Sequence, residues 1–238
     1  MDDLEKMRAG LWLYAVTPQI GNALRRTEEL VFELNRLPPS RREEREAIIR
    51  RLFGRIGREF TIHSPFHCDF GEQIAVGDHF VGNYNLTILD EAPVTIGDHV
   101  FIGPNVGLYT VAHALVPDQR NAGIMRSLPI TIGNNVWIGG NTVVMQGVTI
   151  GDNTVIGAGS VVIEEVPPNC TVVGVPGRVV KRDNIRTPQD DMDQVHLPDP
   201  VKEDITVLQH ENAELVNRVL DLEKEVRILS TGAGASQE

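Results

Sequence analysis

Aliphatic residues recur every six positions through the middle of the chain. Ile132, Ile138, Val144, Ile150, Ile156 and Val162 keep this step unbroken, and Gly133, Gly139, Gly151 and Gly157 follow four of them. Ile96-Gly97, Ile102-Gly103 and Leu108 form an earlier run with the same step. Six is neither the 3.6-residue period of a helix nor the two-residue alternation of a strand. In a β-branched, glycine-rich stretch it predicts a coiled β-solenoid, with one aliphatic side chain per hexad on the axis and three hexads to a roughly triangular turn. Gly97-Asp98, Gly133-Asn134 and Gly151-Asp152 suit the corners, where glycine can supply a positive φ. From Phe60 onward, Ile62, Ile74, Val76, Ile88 and Val94 predict earlier coils of less regular spacing, with regular coils from Thr95. The polar run from His113 to Gly123 cannot continue a solenoid face, and predicts an external loop at about residues 112–129. Loops carried on rigid scaffolds often bear function.

The flanks obey other periods. Residues 1–58 read as a helical cap: Leu30, Leu34 and Leu37 keep one face, Pro38-Pro39 breaks it, and Ser40 is placed to cap a helix at about 41–56. That helix is apolar at Ile48, Ile49, Leu52, Phe53 and Ile56, while Arg41 to Glu46 form a solvated charged face. The solenoid domain then spans 59–182, closed by Pro167-Pro168-Asn169 and Gly174-Val175-Pro176-Gly177, and residues 183–200 read as a linker. In 201–230, Ile205, Leu208, Asn212, Leu215, Val219, Leu222, Val226 and Leu229 alternate steps of three and four, the seam of a coiled coil. Residues 231–238 read as a disordered tail.

Composition narrows the class. The 238 residues are 41% hydrophobic, enough for a packed core. Without an apolar run of membrane length or a basic-then-apolar leader, and with only Cys68 and Cys170 as cysteines, a reduced cytoplasmic protein is expected, with no membrane partner. The net charge of −11 disfavours nucleic acid as a partner, yet residues 183–238 carry −8 of it, which leaves the first 182 residues at −3 and compatible with a local site for a phosphorylated ligand.

Of the seven histidines, His113 stands where the coil gives way to the loop. An imidazole there can act as a general base near neutral pH. The order of several motifs adds more. Asn83-Tyr84-Asn85-Leu86-Thr87-Ile88-Leu89-Asp90, Ile96-Gly97-Asp98, Ile102-Gly103-Pro104-Asn105-Val106, the run Pro129 to Gly139, Gly157-Ala158-Gly159-Ser160 and Gly174-Val175-Pro176 together resemble the maltose/galactoside O-acetyltransferase family of hexapeptide-repeat acyltransferases. Met7-Arg8-Ala9-Gly10 and the helices after it resemble the family's N-terminal cap, so that the likeness spans about residues 5–182.

The resemblance implies a mainly β fold, a left-handed parallel β-helix, assembled as a homotrimer with active sites between neighbouring coils. It implies acetyl-CoA as co-substrate, no metal, and a small-molecule hydroxyl acceptor of saccharide type. His113 would be the catalytic base, with direct attack of the acceptor on the thioester. Asp69, Asn83 and Glu91 would bind the acceptor, and Met125 would line the acceptor pocket of a neighbouring subunit. Trp137, Gly140, Ala158, Arg178 and Lys181 would line the CoA channel, the two cations meeting phosphates. Four positions depart from the family pattern. Ala15 stands where an Asp usually contacts the sugar, Ala114 where Pro commonly follows the histidine, Glu164 where a basic residue sometimes stands, and Glu91 where Asp is frequent. The heptad tail is not a usual family feature. Two other readings of the same solenoid are a metal-dependent hydratase of the γ-carbonic anhydrase type, which needs three converging histidines, and a non-catalytic trimeric assembly module working through its coiled coil.

Overall fold

Three parallel sheets wrap one axis. The computed structural model describes residues 1–15, 17–182 and 200–232, without the side chains of 200–203 and 228–232. The first sheet stacks Arg55–Ile56, Ile74–Val76, Val94–Ile96, Ile130–Ile132 and Thr149–Ile150. The second stacks Thr61–Ile62, Val81–Gly82, Phe101–Ile102, Trp137–Ile138, Val155–Ile156 and Thr171–Val173, and the third Phe66–Cys68, Leu86–Leu89, Gly107–Tyr109, Val143–Val144 and Val161–Val162. Most strands turn an aliphatic residue inward, with Phe66, Cys68 and Gly82 taking that place in two early strands. Ile96, Ile102, Leu108, Ile132, Ile138, Val144, Ile150, Ile156 and Val162 are all buried in one continuous core. The six-residue step is therefore the step from one sheet to the next.

The early coils are longer, which explains their irregular spacing. Thr61 pairs with Val81 and Val81 with Phe101, twenty residues per turn, whereas Trp137 pairs with Val155 at eighteen. The surplus falls at the third corner, where the third sheet passes to the first: Asp69–Gln73 in one coil and Asp90–Pro93 in the next. In the following coil the same corner extends into a strand pair, Val111–His113 with Ile124–Ser127, bridged by one short helix, α4 (Pro117–Asn121). The predicted external loop is thus an ordered antiparallel hairpin, and Leu13–Tyr14 joins it as a third strand.

The other two corners are tight. At the first corner the side-chain oxygens of Asp98, Asn134 and Asp152 accept from the backbone N–H of Asp78, Asp98 and Asn134 at 2.7, 2.8 and 2.6 Å. The positive φ belongs to the residue after these, Asn135, Asn153 and Asn169 in later coils and His79 and His99 in earlier ones. The glycines before them meet another need. A Cβ on Gly97 would lie 2.5 Å from Asn134 Oδ1 and 2.8 Å from the Gly133 carbonyl. Glycine sits where the coils touch, and asparagine or histidine where the backbone turns left-handed.

Helices α1 (Asp3–Arg8), α2 (Pro18–Arg36) and α3 (Arg42–Leu52) form the cap. Leu34, Ile48, Ile49, Leu52 and Phe53 extend the solenoid core across its first coil. Asn35 exchanges two hydrogen bonds with the Phe66 backbone at 2.8 and 2.9 Å, and Arg45 donates to the carbonyls of Leu34 and Ile62 and to Ser64 Oγ. The N-cap of α3 is Arg41 and not Ser40, and makes no side-chain cap bond, because a turn closed by Arg41 N–H on the Pro38 carbonyl starts the helix one residue later. At the far end, Arg178–Lys181 folds back antiparallel on Thr171–Val173, Val166 bridges Ile150, and the Gly174 carbonyl accepts from Val161.

Helix α5 (Pro200–Gly232) is a second compact unit, and every described side chain on it is exposed. Most of the predicted linker and tail, residues 183–199 and 233–238, lies outside the described residues.

Gly97→Ala is expected to lose about 1–3 kcal/mol of stability through overpacking between coils. Urea unfolding followed by circular dichroism measures it, and an unchanged midpoint would contradict the close-approach role.

Candidate active site

The predicted site residues fall in two groups, one at the third corner and one along the second corner and the second sheet beside it. Asp69, Glu91 and the hairpin bearing His113 occupy the third corner. Asn83 occupies the second corner, in a ladder that continues upward through Gly103, Gly139-Gly140 and Gly157-Ala158, joined by backbone bonds of 2.8 to 3.0 Å. Within one chain the sheet of Leu86–Leu89 lies between the two groups.

Glycine in the second-corner ladder has a structural cause. A Cβ on Gly103 would be 2.6 Å from the Gly140 nitrogen, and one on Gly139 2.5 Å from that of Ala158. The result is a smooth, side-chain-poor strip with Ala158 exposed along it. Trp137 lies on the adjoining second sheet, in register with Phe101 and Val155, 38% exposed, beside His99 and Phe101 in a shallow depression. Arg178 and Lys181, both exposed, are on the strand that ends the same sheet. The five CoA-side candidates thus share one sheet and its adjoining corner.

The third corner is acidic and largely buried. Asp90, which the sequence reading did not single out, is fully buried, and its Oδ1 accepts from the N–H of Asp69 at 3.1 Å and Phe70 at 2.9 Å. Gln73 Nε2 donates to the carbonyls of Asp90 and Glu91 at 2.9 and 2.8 Å. Thr110, at the hairpin's root, accepts from the Ala92 N–H at 3.0 Å and donates to the Leu89 carbonyl at 2.7 Å. Asp90 is thus a clamp tying one enlarged corner to the next. In the sequence it closes the run Asn83 to Asp90, and nothing there marks it apart from its neighbours.

Burial pushes the Asp90 carboxyl up to about 6, against the two amide bonds that favour its ionised form. Burial, with the Asp69 charge and a hydrogen bond to the Asp69 carboxyl, pushes Glu91 up to about 9. Asp69 is itself raised by burial, while the bond from Glu91 draws it down. Asp69 and Glu91 therefore share one proton near neutrality, Glu91 holding it. With that proton engaged between the two carboxyls, the pair offers a hydroxyl ligand acceptor oxygens.

The hairpin is fixed by the cap. Met125 is 4% exposed and packs with Met7, Leu13, Ile20 and Phe70 of its own chain, with Ala15 alongside. The Ala15 N–H donates to the Gly123 carbonyl at 2.7 Å, and Arg126 Nε to the Gly10 carbonyl at 2.9 Å. His113 pairs directly with Met125, which pairs with Leu13, so the three side chains share a face. His113 is the exposed member, on the outer strand of the hairpin. Among the described residues, no group of three or more His, Cys, Asp or Glu side chains is arranged to hold a metal ion. His79 instead stacks on His99 with centroids 4.5 Å apart, and the His63 and Tyr84 rings meet tilted at 31°.

Known proteins match in the same segments. The maltose acetyltransferase hexapeptide capping motif covers residues 6–57, the hexapeptide repeat of succinyl-transferase 93–111, and the bacterial transferase hexapeptide (six repeats) 129–164. A helical cap on a hexapeptide solenoid with these matches defines a hexapeptide-repeat acyltransferase. The galactoside O-acetyltransferase of Escherichia coli K12 is 43% identical over 182 residues, 76% of this chain and 90% of that one. The crystal structure of a maltose O-acetyltransferase from Clostridium difficile 630 superposes with a TM-score of 0.75 at 41% identity, over 76% of this chain and 97% of that one. A hexapeptide-repeat acetyltransferase of Vibrio cholerae, complexed with acetyl coenzyme A, gives 0.72 at 42% identity, over 76% and 98%. The chain belongs to the galactoside and maltose O-acetyltransferase family, and is an acetyl-CoA-dependent acetyltransferase.

The shared proton sets a pH trend. A carboxyl raised on folding contributes stability that is full below its ordinary value and fades as pH rises to the raised one. For Glu91 that window runs from 4.5 to about 9. Urea midpoints at pH 5 and pH 8 are expected to fall toward pH 8 in the wild type and to fall less in Glu91→Gln, which keeps a donor for Asp69 and has no proton to lose. Equal pH trends in the two proteins would contradict the shared proton.

Proposed function

We propose that the acceptor is a hydroxyl of a saccharide or sugar-like alcohol, and that His113 is the general base of a direct transfer. The observation that carries this reading is the position of His113 at the rim of the same corner as the half-buried Asp69–Glu91 pair. A neutral imidazole takes the proton from the acceptor hydroxyl as its oxygen attacks the thioester carbonyl carbon. The tetrahedral adduct collapses with cleavage of the C–S bond, and the imidazolium returns the proton to the departing CoA thiolate. The products are an acetyl ester and free CoA, with no acyl-enzyme. Asp69 and Glu91 hold the acceptor by accepting from its hydroxyls, and Asn83 supplies an amide. Trp137, Gly140 and Ala158 form the bed of the pantetheine arm, and Arg178 and Lys181 meet the phosphates.

The homotrimer belongs to this reading. The two candidate groups lie apart within one chain, with the third sheet between them, so a His113 hairpin set against the second-corner strip of a neighbouring copy would complete each site. Met125 then reaches the pocket indirectly, by bracing His113 from within its own chain. Ala15 removes a carboxylate from beside the hairpin, which shifts the acceptor away from sugars that need it.

His113→Ala is expected to lower acetyl transfer by a factor on the order of 10²–10⁴ with unchanged thermal stability. Thiol release from acetyl-CoA across a panel of sugars, glycosides and amino sugars reads it, and near wild-type turnover on the best acceptor would remove His113 as the base. Arg178→Ala is expected to raise KM for acetyl-CoA more than for the acceptor, since a phosphate contact acts mainly through binding. Equal shifts would move Arg178 away from the CoA end.

A further inference from the structure

Helix α5 has no part in the chemistry above. It runs for 33 residues, about 50 Å at 1.5 Å per residue. Its seam is wholly uncovered: Ile205, Leu208, Leu215, Val219, Leu222 and Val226 are 43 to 66% exposed. Tertiary packing of an apolar face, more than propensity, stabilises most helices in water.

We propose that α5 joins copies of this chain in a parallel, in-register, three-stranded coiled coil. The occupant of the seam is the same seam on the neighbouring copies, and four features select it. The apolar positions alternate three and four apart, the spacing that keeps a stripe facing a partner helix along its length. Asn212 interrupts the β-branched layers Ile205, Val219 and Val226. Parallel strands in register bring Asn212 against its own copies, where the amides bond each other. Antiparallel strands set it against a leucine layer and leave a buried amide unpaired. In the parallel arrangement Arg218 of one strand meets Glu223 of the next, and no like charges are brought together at the corresponding positions.

The number three rests on the trimer reading above and on the width of the apolar arc. Val216 and Leu220, 52% and 48% exposed, widen the stripe on one flank. Two strands cover little more than the seam itself, whereas a third reaches that flank. β-branched residues alternating with leucine would by themselves favour two strands. Three helices tethered to one assembly meet at high effective concentration, which overrides a modest intrinsic preference.

The test uses the full-length protein carrying Asn212→Cys, with Asn217→Cys, on the outer face, as control. Cys68 and Cys170 are buried and leave the background low. Mild oxidation is expected to convert most of the Asn212→Cys protein to disulfide-linked dimer on a non-reducing gel and to leave Asn217→Cys unlinked, with light scattering giving three protomers for both. No cross-link at Asn212→Cys, or equal cross-linking of the two variants, overturns the parallel register. A mass of two or six protomers overturns the three-stranded state. Acetyl transfer measured on the same samples separates this inference from the catalytic reading: cross-linked protein without transferase activity would sink the second and leave the first standing.

Discussion

Backbone hydrogen bonds between successive coils hold them at the spacing of neighbouring β-strands, about 4.8 Å, and the rest of the molecule is fitted to that repeat. At this distance the first corner, and the second corner of the later coils, have no room for a side chain on the residue that faces the coil above. Gly97, Gly103 and Gly139 each stand where a Cβ would meet the next coil's backbone within 3 Å. The polar groups of the corners are matched by the same repetition. Each Asp or Asn side chain accepts from the N–H of the coil below, and Asn85, Asn105 and Asn141 pass amide bonds upward. The solenoid satisfies its turns with the same few contacts made again at every level.

The proposed chemistry requires a departure from that repetition, and the third corner offers one. Extra residues there cost the stack little, because they leave outward and Asp90, Gln73 and Thr110 tie the enlarged corners together. Buried carboxyls can be held in such a corner because backbone amides and a shared proton compensate what water would have supplied. The cap then serves two purposes. Its helices close the core, and its small cluster around Met7, Leu13, Phe70 and Met125 fixes the hairpin on which His113 stands.

The solenoid between Thr95 and Val162 was legible because one constraint, an inward aliphatic residue at each sheet, repeats at a fixed step. The coils before it were harder to read, since two additional residues per turn at a single corner displace every later position. The same two residues hide the structural role of Asp90, which closes the run Asn83 to Asp90 in the sequence: a clamp between enlarged corners has no period to betray it. The glycines were seen, but their reason was misjudged, because spacing alone does not separate a positive φ from a close approach. The packing of Met125 against Leu13 and beside His113 is long-range and leaves no local signature in the sequence. The hairpin itself was read as a loop because its strands are short and its third strand arrives from residue 13.

A stack of identical levels has no intrinsic last level. Both terminal coils would offer open strand edges, and a second molecule could add to either. At the first coil the Phe66 backbone is taken by Asn35 and the Ile62 carbonyl by Arg45. At the last coil Val166 occupies the first sheet, the Arg178–Lys181 strand reverses direction across the second, and Gly174 and Gly177 engage Val161 of the third. These closures keep a fold that could grow as a fibre at a fixed length. Removing the reversed strand would expose a templating edge, so the segment carrying Arg178 and Lys181 also guards the protein against end-to-end polymerisation.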